Sequence, residues 1–260
     1  MRFKLTIEYN GTRYSGWQIQ KNARTVQGEI DRAIRKATGV KAFELYGSGR
    51  TDAGVHALAQ VAHLDLDTTL PPETLRRRIN DALPSDIAIL RVDRVHRRFH
   101  ARHDAVGRSY LYQVSRRRTA LAKPFVWWVK DELDVARMRQ AARRFVGFHD
   151  FRAFSDQDPE ERSTEVRLDT LDIHEDEDLV LFHVEGSHFL WKMVRRLVGV
   201  LVEVGRGGLT PVEAEQLLAG RSELPARLTA PASGLFLERV YYTGDARDTP
   251  IRAASVVRRW

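Results

Sequence analysis

Apolar residues recur along this chain at two spacings, and the two do not alternate in a regular way. Phe3, Leu5, Ile7 and Tyr9 alternate with Lys4, Thr6 and Glu8, which predicts a half-buried strand closed by a turn at Asn10-Gly11. Further strands are predicted over 41–47, 55–67, 86–95, 106–115, 165–174, 179–186 and 234–243, with Glu175-Asp176-Glu177-Asp178 as an acidic hairpin turn. Helical spacing joins Val26, Ile30, Ala33, Ile34 and Ala37, with Thr25 as N-cap and Gly39 as stop. It returns over Pro72–Leu83, Asp134–Phe145 and about 189–204, and in a helix opened by the capping box Thr210-Pro211-Val212-Glu213 and stopped at Gly220. This mixture lacks strict βαβ order, so the expected class is α+β: two similar subdomains with mainly antiparallel sheets flanked by helices. The expected division is an N-terminal α+β domain over 1–103, a C-terminal one over 104–245, and a loosely ordered tail over 246–260.

Composition removes several alternatives. With 260 residues and 43% apolar content there is enough material for one large core or two of ~130 residues. Cys is absent, which excludes disulfides, thiolate metal sites, iron–sulfur clusters and a cysteine nucleophile. No apolar run approaches the ~20 residues of a membrane helix, and the alternating start Met1–Ile7 does not read as a signal peptide, so a cytoplasmic protein with no membrane partner is expected. The net charge is +7, yet residues 76–118 alone hold twelve Arg, no Lys and four Asp, a local +8. Of 42 basic residues 35 are Arg, the side chain that grips phosphate in a planar, bidentate way. An Arg-for-Lys bias explains the ratio but not the clustering, which points to a polyanionic partner.

Three constellations are candidates for chemistry. Gly47-Ser48-Gly49-Arg50-Thr51-Asp52-Ala53-Gly54-Val55-His56-Ala57 sits between two predicted strands. It is neither a phosphate loop nor a dinucleotide fingerprint, because no Lys-Ser/Thr follows the glycines and a strand comes next. On spacing alone, an ordinary Asx turn accounts for Asp52 better than a catalytic site does. Arg108, Tyr110 and Tyr112 share one side of a strand, as a stacking surface for a flipped base or as inward core residues. His96, His100 and His103 match no common metal-ligand spacing, so no metal is expected. In the apolar helix over 189–204, His188, Lys192, Arg195 and Gly199 fall on one stripe, either a solvent face or a source of a cation for a buried carboxylate such as Asp52.

Taken in order, these segments resemble the TruA-type tRNA pseudouridine synthases. The resemblance rests on Tyr9-Asn10-Gly11-Thr12-x-Tyr14-x-Gly16-Trp17-Gln18-x-Gln20, Thr25-Val26-Gln27-Gly28 and, most specifically, Gly49–Ala57. Phe99-His100-Ala101-Arg102, Arg108-x-Tyr110-x-Tyr112, Phe148-His149-Asp150-Phe151, Gly186-x-x-Phe189-Leu190-x-x-Met193-Val194-Arg195 and Ala230-Pro231-Ala232-x-Gly234-Leu235 continue it. Ser48 stands where Ala is more usual, and Trp191-Lys192 and Arg196 replace a His pair and Asn.

The resemblance implies an isomerase converting uridine to pseudouridine at positions 38, 39 and 40 of tRNA. It also implies a homodimer with the cleft between its domains and no cofactor or metal. Carried over by motif, Asp52 is the nucleophile, Tyr110 stacks on the uracil and is a candidate base, and Arg195 partners Asp52. Arg50 is expected to hold the flipped nucleotide, and Arg76, Arg77, Arg78, Arg102, Arg108 and Lys192 to contact tRNA. A non-catalytic RNA-binding protein on the same scaffold is the alternative. A metal-dependent nuclease using Asp52, His56 and the 96–103 histidines is disfavoured, because no second carboxylate lies beside Asp52 in sequence.

Overall fold

Strand β1 (Arg2–Tyr9) buries Phe3, Leu5, Ile7 and Tyr9 and turns the residues between them outward, as its alternation predicts. This computed structural model describes residues 1–156, 163–220, 222–247 and 250–257. They divide into two units, Met1–Val106 with Phe236–Asp245, and Gly107–Leu235 with the described residues from Ala246 onward.

In the first unit β1 pairs antiparallel with β3 (His56–Asp65) on one side and β4 (Ile87–Val95) on the other, and β2 (Glu44–Gly47) pairs with β3. The late strand β10 (Leu235–Tyr242) joins β3 in parallel through Phe236 opposite His56 and Leu237 opposite Ala57. Helix α1 (Val26–Thr38) is capped as its sequence foretells: the Thr25 side chain accepts from Gly28 N–H, and Gly39 takes φ +73°. Val26, Ile30, Ala33 and Ile34 form its buried face, and α2 (Pro72–Ala82) buries Leu75 and Ile79. β10 departs from the expected division, since residues 236–245 pack with the N-terminal unit.

A cluster of rings lies where β3 meets the 96–104 loop. The His63 ring stacks on Tyr46 at 5.7 Å and meets His100 edge-on at 4.7 Å, while His100 lies 4.2 Å from His103. His63 is buried, and its Nδ1 accepts from the Ala101 N–H at 3.1 Å. Burial, reinforced by the charge of Arg2, pushes the His63 imidazole down to about 4.

In the second unit β5 (Ala105–Ser115) pairs antiparallel with β9 (Leu179–Gly186), β9 with β8 (Glu165–Asp176), and β8 with β7 (Gly147–Asp150). The two-residue strand β6 (Trp127–Trp128) runs parallel to β5. Helices α3 (Val135–Arg143), α4 (Met193–Arg206), α5 (Pro211–Gln216) and α6 (Leu224–Arg227) complete the unit. Both halves of the capping box form at Thr210 and Glu213. The class is therefore α+β, with mainly antiparallel strands flanked by helices.

Several expectations change. α4 starts at Met193 rather than near 189, because Lys192 takes the left-handed conformation at φ +63° and breaks the helical path. His188 and Lys192 therefore share no helical stripe with Arg195 and Gly199. The tail packs over part of its length: Ala254 N–H donates to Gln113 Oε1 at 2.7 Å, Gln113 Nε2 donates to Ser255 Oγ at 3.0 Å, and Val257 is buried. β6, β7 and α6 are too short to show a period.

Gly199 lets the chain at Leu228 lie against α4, since an added Cβ would sit 1.8 Å from the Leu228 carbonyl oxygen. Alanine gains ~1 kcal/mol in helix propensity over glycine, but overlap with a backbone atom costs more than that. Gly199→Ala is expected to lower the melting temperature by several degrees in calorimetry. His63 supplies a second expectation. The unfolded chain protonates it near 6.5 and the fold only near 4, so its contribution is intact above pH 6.5 and declines as pH falls towards 4. Over that window it amounts to about 3 kcal/mol. His63→Asn, which keeps an acceptor for Ala101 N–H, should flatten the acid side of a urea-stability profile.

Candidate active site

Asp52 sits half-buried on the loop between β2 and β3, and the residues around it show why the loop has one shape. Trp17 N–H donates to the Thr51 carbonyl at 3.1 Å, and the Tyr9 hydroxyl bonds the Thr51 Oγ1 at 2.8 Å. Gly54 N–H donates to the Tyr14 carbonyl at 3.2 Å, and Val55 N–H closes a tight turn onto the Asp52 carbonyl at 3.1 Å. On its first side, buried Ser48 donates from Oγ to Gln60 Oε1 at 2.7 Å, and Gln60 Nε2 donates to the Gly49 carbonyl at 3.2 Å.

Two glycines admit this loop. Gly16 takes φ +91°, and a Cβ there would lie 2.6 Å from the Thr51 carbonyl oxygen. At Gly11 a Cβ would lie 1.9 Å from the Val55 carbonyl oxygen. Segment 10–17 is thus a fitted backing for the loop, a role that its turn signal at Asn10-Gly11 did not reveal. Trp17 and Tyr14 are both buried in it, and Tyr14 donates its hydroxyl to Asp86 at 2.5 Å. The exposed Arg50 and Ala53 stand on either side of Thr51-Asp52.

His56 serves this scaffold. It is buried, its ring stacks on Phe236 at 4.7 Å, and its Nδ1 accepts from Gly11 N–H at 3.0 Å. That environment gives His56 the part of a fixed acceptor, and the nuclease reading loses one of its groups. Among the described residues no three His, Cys, Asp or Glu side chains are grouped to hold a metal ion.

In the second unit, β5 separates two neighbouring tyrosines by burial. Tyr112 belongs to the core, where its hydroxyl donates to the Pro231 carbonyl at 2.8 Å and burial pushes its ionisation far up. Tyr110 is half-buried, with Phe189 edge-on at 5.0 Å, so it keeps an accessible part of its ring. Arg108 donates from Nη1 to the Ser187 carbonyl at 3.0 Å. Arg195 lies in the first turn of α4, where its Nε donates to the Ala230 carbonyl at 2.7 Å and its own carbonyl accepts from Ala230 N–H at 3.0 Å. The close approach at Gly199 therefore also fixes Arg195, because both act through segment 228–230.

The Arg-rich segment is partly neutralised locally. Arg76 pairs with Glu73, Arg91 with Asp93, Arg116 with Glu175 and Arg117 with Asp178. Arg77, Arg78 and Arg102 are exposed, as are Arg94, Arg97 and Arg98, which the candidate set omitted. All six belong to the first unit. Lys192 pairs with Asp156 at 2.7 Å.

Comparison with known proteins bears directly on this arrangement. A family model described as tRNA pseudouridine synthase matches residues 5–104 and 141–243, segments that contain Asp52 and Arg195. The chain is 39% identical over 243 residues to a tRNA pseudouridine synthase A 2 of Clostridium tetani, covering 92% of this chain and 98% of that protein. It is 41% identical over 241 residues to the tRNA pseudouridine synthase A of Acetivibrio thermocellus, covering 92% and 98%. With the enzyme of that name from Rhodopseudomonas palustris the identity is 42% over 244 residues, covering 93% and 99%. A match of this extent, running through the Asp52 loop and α4 alike, shows that the chain belongs to the tRNA pseudouridine synthase family.

Proposed function

We propose that this protein isomerises uridine to pseudouridine in tRNA, at positions 38, 39 and 40 of the anticodon arm, with Asp52 as the nucleophile. The observation that carries the reading is the Asp52 loop itself. Backbone bonds from Trp17 and Gly54, the Tyr9 hydroxyl and two close glycine approaches hold one half-buried carboxylate in a family whose members are named for this reaction. The reaction breaks the C1′–N1 bond, turns the uracil and joins C5 to C1′. Substrate and product are isomers, so the chemistry calls for no oxidant or reductant.

A carboxylate suits this task because it can hold the sugar, by attack at C1′ or by assisting elimination from C2′, while the base turns. Arg195 is its ion partner, since an arginine beside a carboxylate favours the charged form. Tyr110 stacks on the flipped uracil, which offsets part of the few kcal/mol that unstacking costs. Arg50 holds the flipped nucleotide. Arg77, Arg78 and Arg102 meet phosphates with Arg108 and Lys192, and Arg76 joins them to the extent that Glu73 releases it. The active form is a homodimer in the cytoplasm.

The test is incubation with unmodified tRNA transcript and detection of pseudouridine by its carbodiimide adduct. Asp52→Asn should lower the yield at least 10³-fold with tRNA binding within about threefold; an active Asp52→Asn protein overturns the assignment. Tyr110→Phe should bind tRNA normally, and its turnover reveals whether the hydroxyl removes the C5 proton. A wild-type protein that binds tRNA without forming pseudouridine would overturn the reaction itself.

A further inference from the structure

At the start of α4, two cationic side chains share one carboxylate. Asp156 accepts from Lys192 Nζ through Oδ2 at 2.7 Å and from Arg196 Nη2 through Oδ1. Each carboxylate oxygen therefore serves one cation, as the free oxygens of a backbone phosphate would. Arg196 is 4% exposed, its Nη1 reaches the Ala153 carbonyl only at 3.5 Å, and its buried Nε has no hydrogen-bond partner among the described residues. The guanidinium fork is thus incompletely used by Asp156, although a desolvated cation of this kind demands full pairing. Lys192 Nζ also lies 4.6 Å from the Trp191 ring centre, and Trp191 is 54% exposed. An indole that is held by a cation and open to solvent offers a flat face to a nucleobase.

We propose that Trp191, Lys192 and Arg196 form a nucleotide subsite for the tRNA strand. A backbone phosphate takes the place that the Asp156 carboxylate occupies, and the adjoining base stacks on Trp191. The subsite rests on the reading of the chain as a tRNA-modifying enzyme and adds to it a bound nucleotide and an internal competitor. A backbone phosphodiester carries the same single negative charge as the Asp156 carboxylate, so it competes for the two cations by geometry, and the positive charge left over by the pair attracts the strand as a whole. Asp156 keeps Arg196 neutralised until RNA arrives, and Lys192 holds its carboxyl below the usual range. A tetrahedral phosphate presents oxygens to Arg196 Nη2 and Nε together, a bidentate pairing that Asp156 leaves half made.

The experiment is filter binding of an unmodified tRNA transcript to the full-length protein between 50 and 200 mM KCl. Removing the competitor by Asp156→Asn should tighten binding about 3- to 10-fold at the low-salt end and steepen the salt slope by ~0.7–0.9. Trp191→Ala should weaken it roughly 5- to 150-fold, with Trp191→Phe restoring most of the loss. Lys192→Gln should reduce the slope by about the same ~0.7–0.9. Asp156→Asn binding that is unchanged or weaker, with an unaltered melting temperature, overturns the competitor. If that variant melts below the assay temperature, Trp191→Ala and Lys192→Gln decide, and wild-type affinity and slope in both overturn the subsite. Association is read here and product formation in the Asp52 test, so either proposal can fail while the other stands.

Discussion

The close passage of backbone at Gly11 and Gly16 against residues 51–55 is the constraint on which the proposed chemistry rests. A catalytic carboxylate must be held to within a fraction of an ångström, and a glycine-rich loop left to itself has the freedom to lose that position. Here the freedom is removed from behind. Segment 10–17 supplies a donor at Trp17, an acceptor at Tyr14 and two positions without side chains, while Tyr9 on β1 ties the Thr51 hydroxyl. Burial of Trp17 and Tyr14 makes the backing stiff, since moving either would open the core of the unit. The loop's glycines allow the turn, and its neighbours decide which turn is made.

The second unit solves a related problem differently. Arg195 is long and flexible, yet its backbone and its Nε are both bonded to Ala230, so segment 228–230 holds it at two points. That segment lies against α4 because position 199 has no side chain. A residue one helical turn away from the arginine thus governs where its guanidinium stands, through contact with a neighbouring stretch of chain rather than along the helix.

Much of this was legible in the residues. Period-two alternation marked β1, and capping residues marked α1 and the start of α5, because both are local signals that the fold does not override. The Asp52 loop is visible as a cluster of glycines, but its spacing gives Asp52 no role, and only the resemblance to the synthases does. An Asx turn and a catalytic bend share the same residues, and they differ in what lies behind them. The fitted backing by Gly11, Gly16 and Trp17 comes from a segment some 40 positions away, which no local spacing discloses. The start of α4 escapes the sequence for a related reason: Phe189 and Leu190 continue the apolar rhythm, while the break depends on the left-handed backbone at Lys192, which a non-glycine residue does not announce. Composition shows the charge clustering over 76–118, while Glu73, Asp93, Glu175 and Asp178 neutralise part of it in space, which no count of residues within the segment discloses.

The pairing of β10 with β3 has a consequence for biosynthesis. The Asp52 loop is translated about 180 positions before Phe236 and Leu237, which flank its outgoing strand. Until then the nascent N-terminal unit carries an unpaired strand edge beside the Asp52 loop, a surface prone to mispairing. Completion of the scaffold around the Asp52 loop is thereby coupled to synthesis of the second unit, which precedes β10 in the chain.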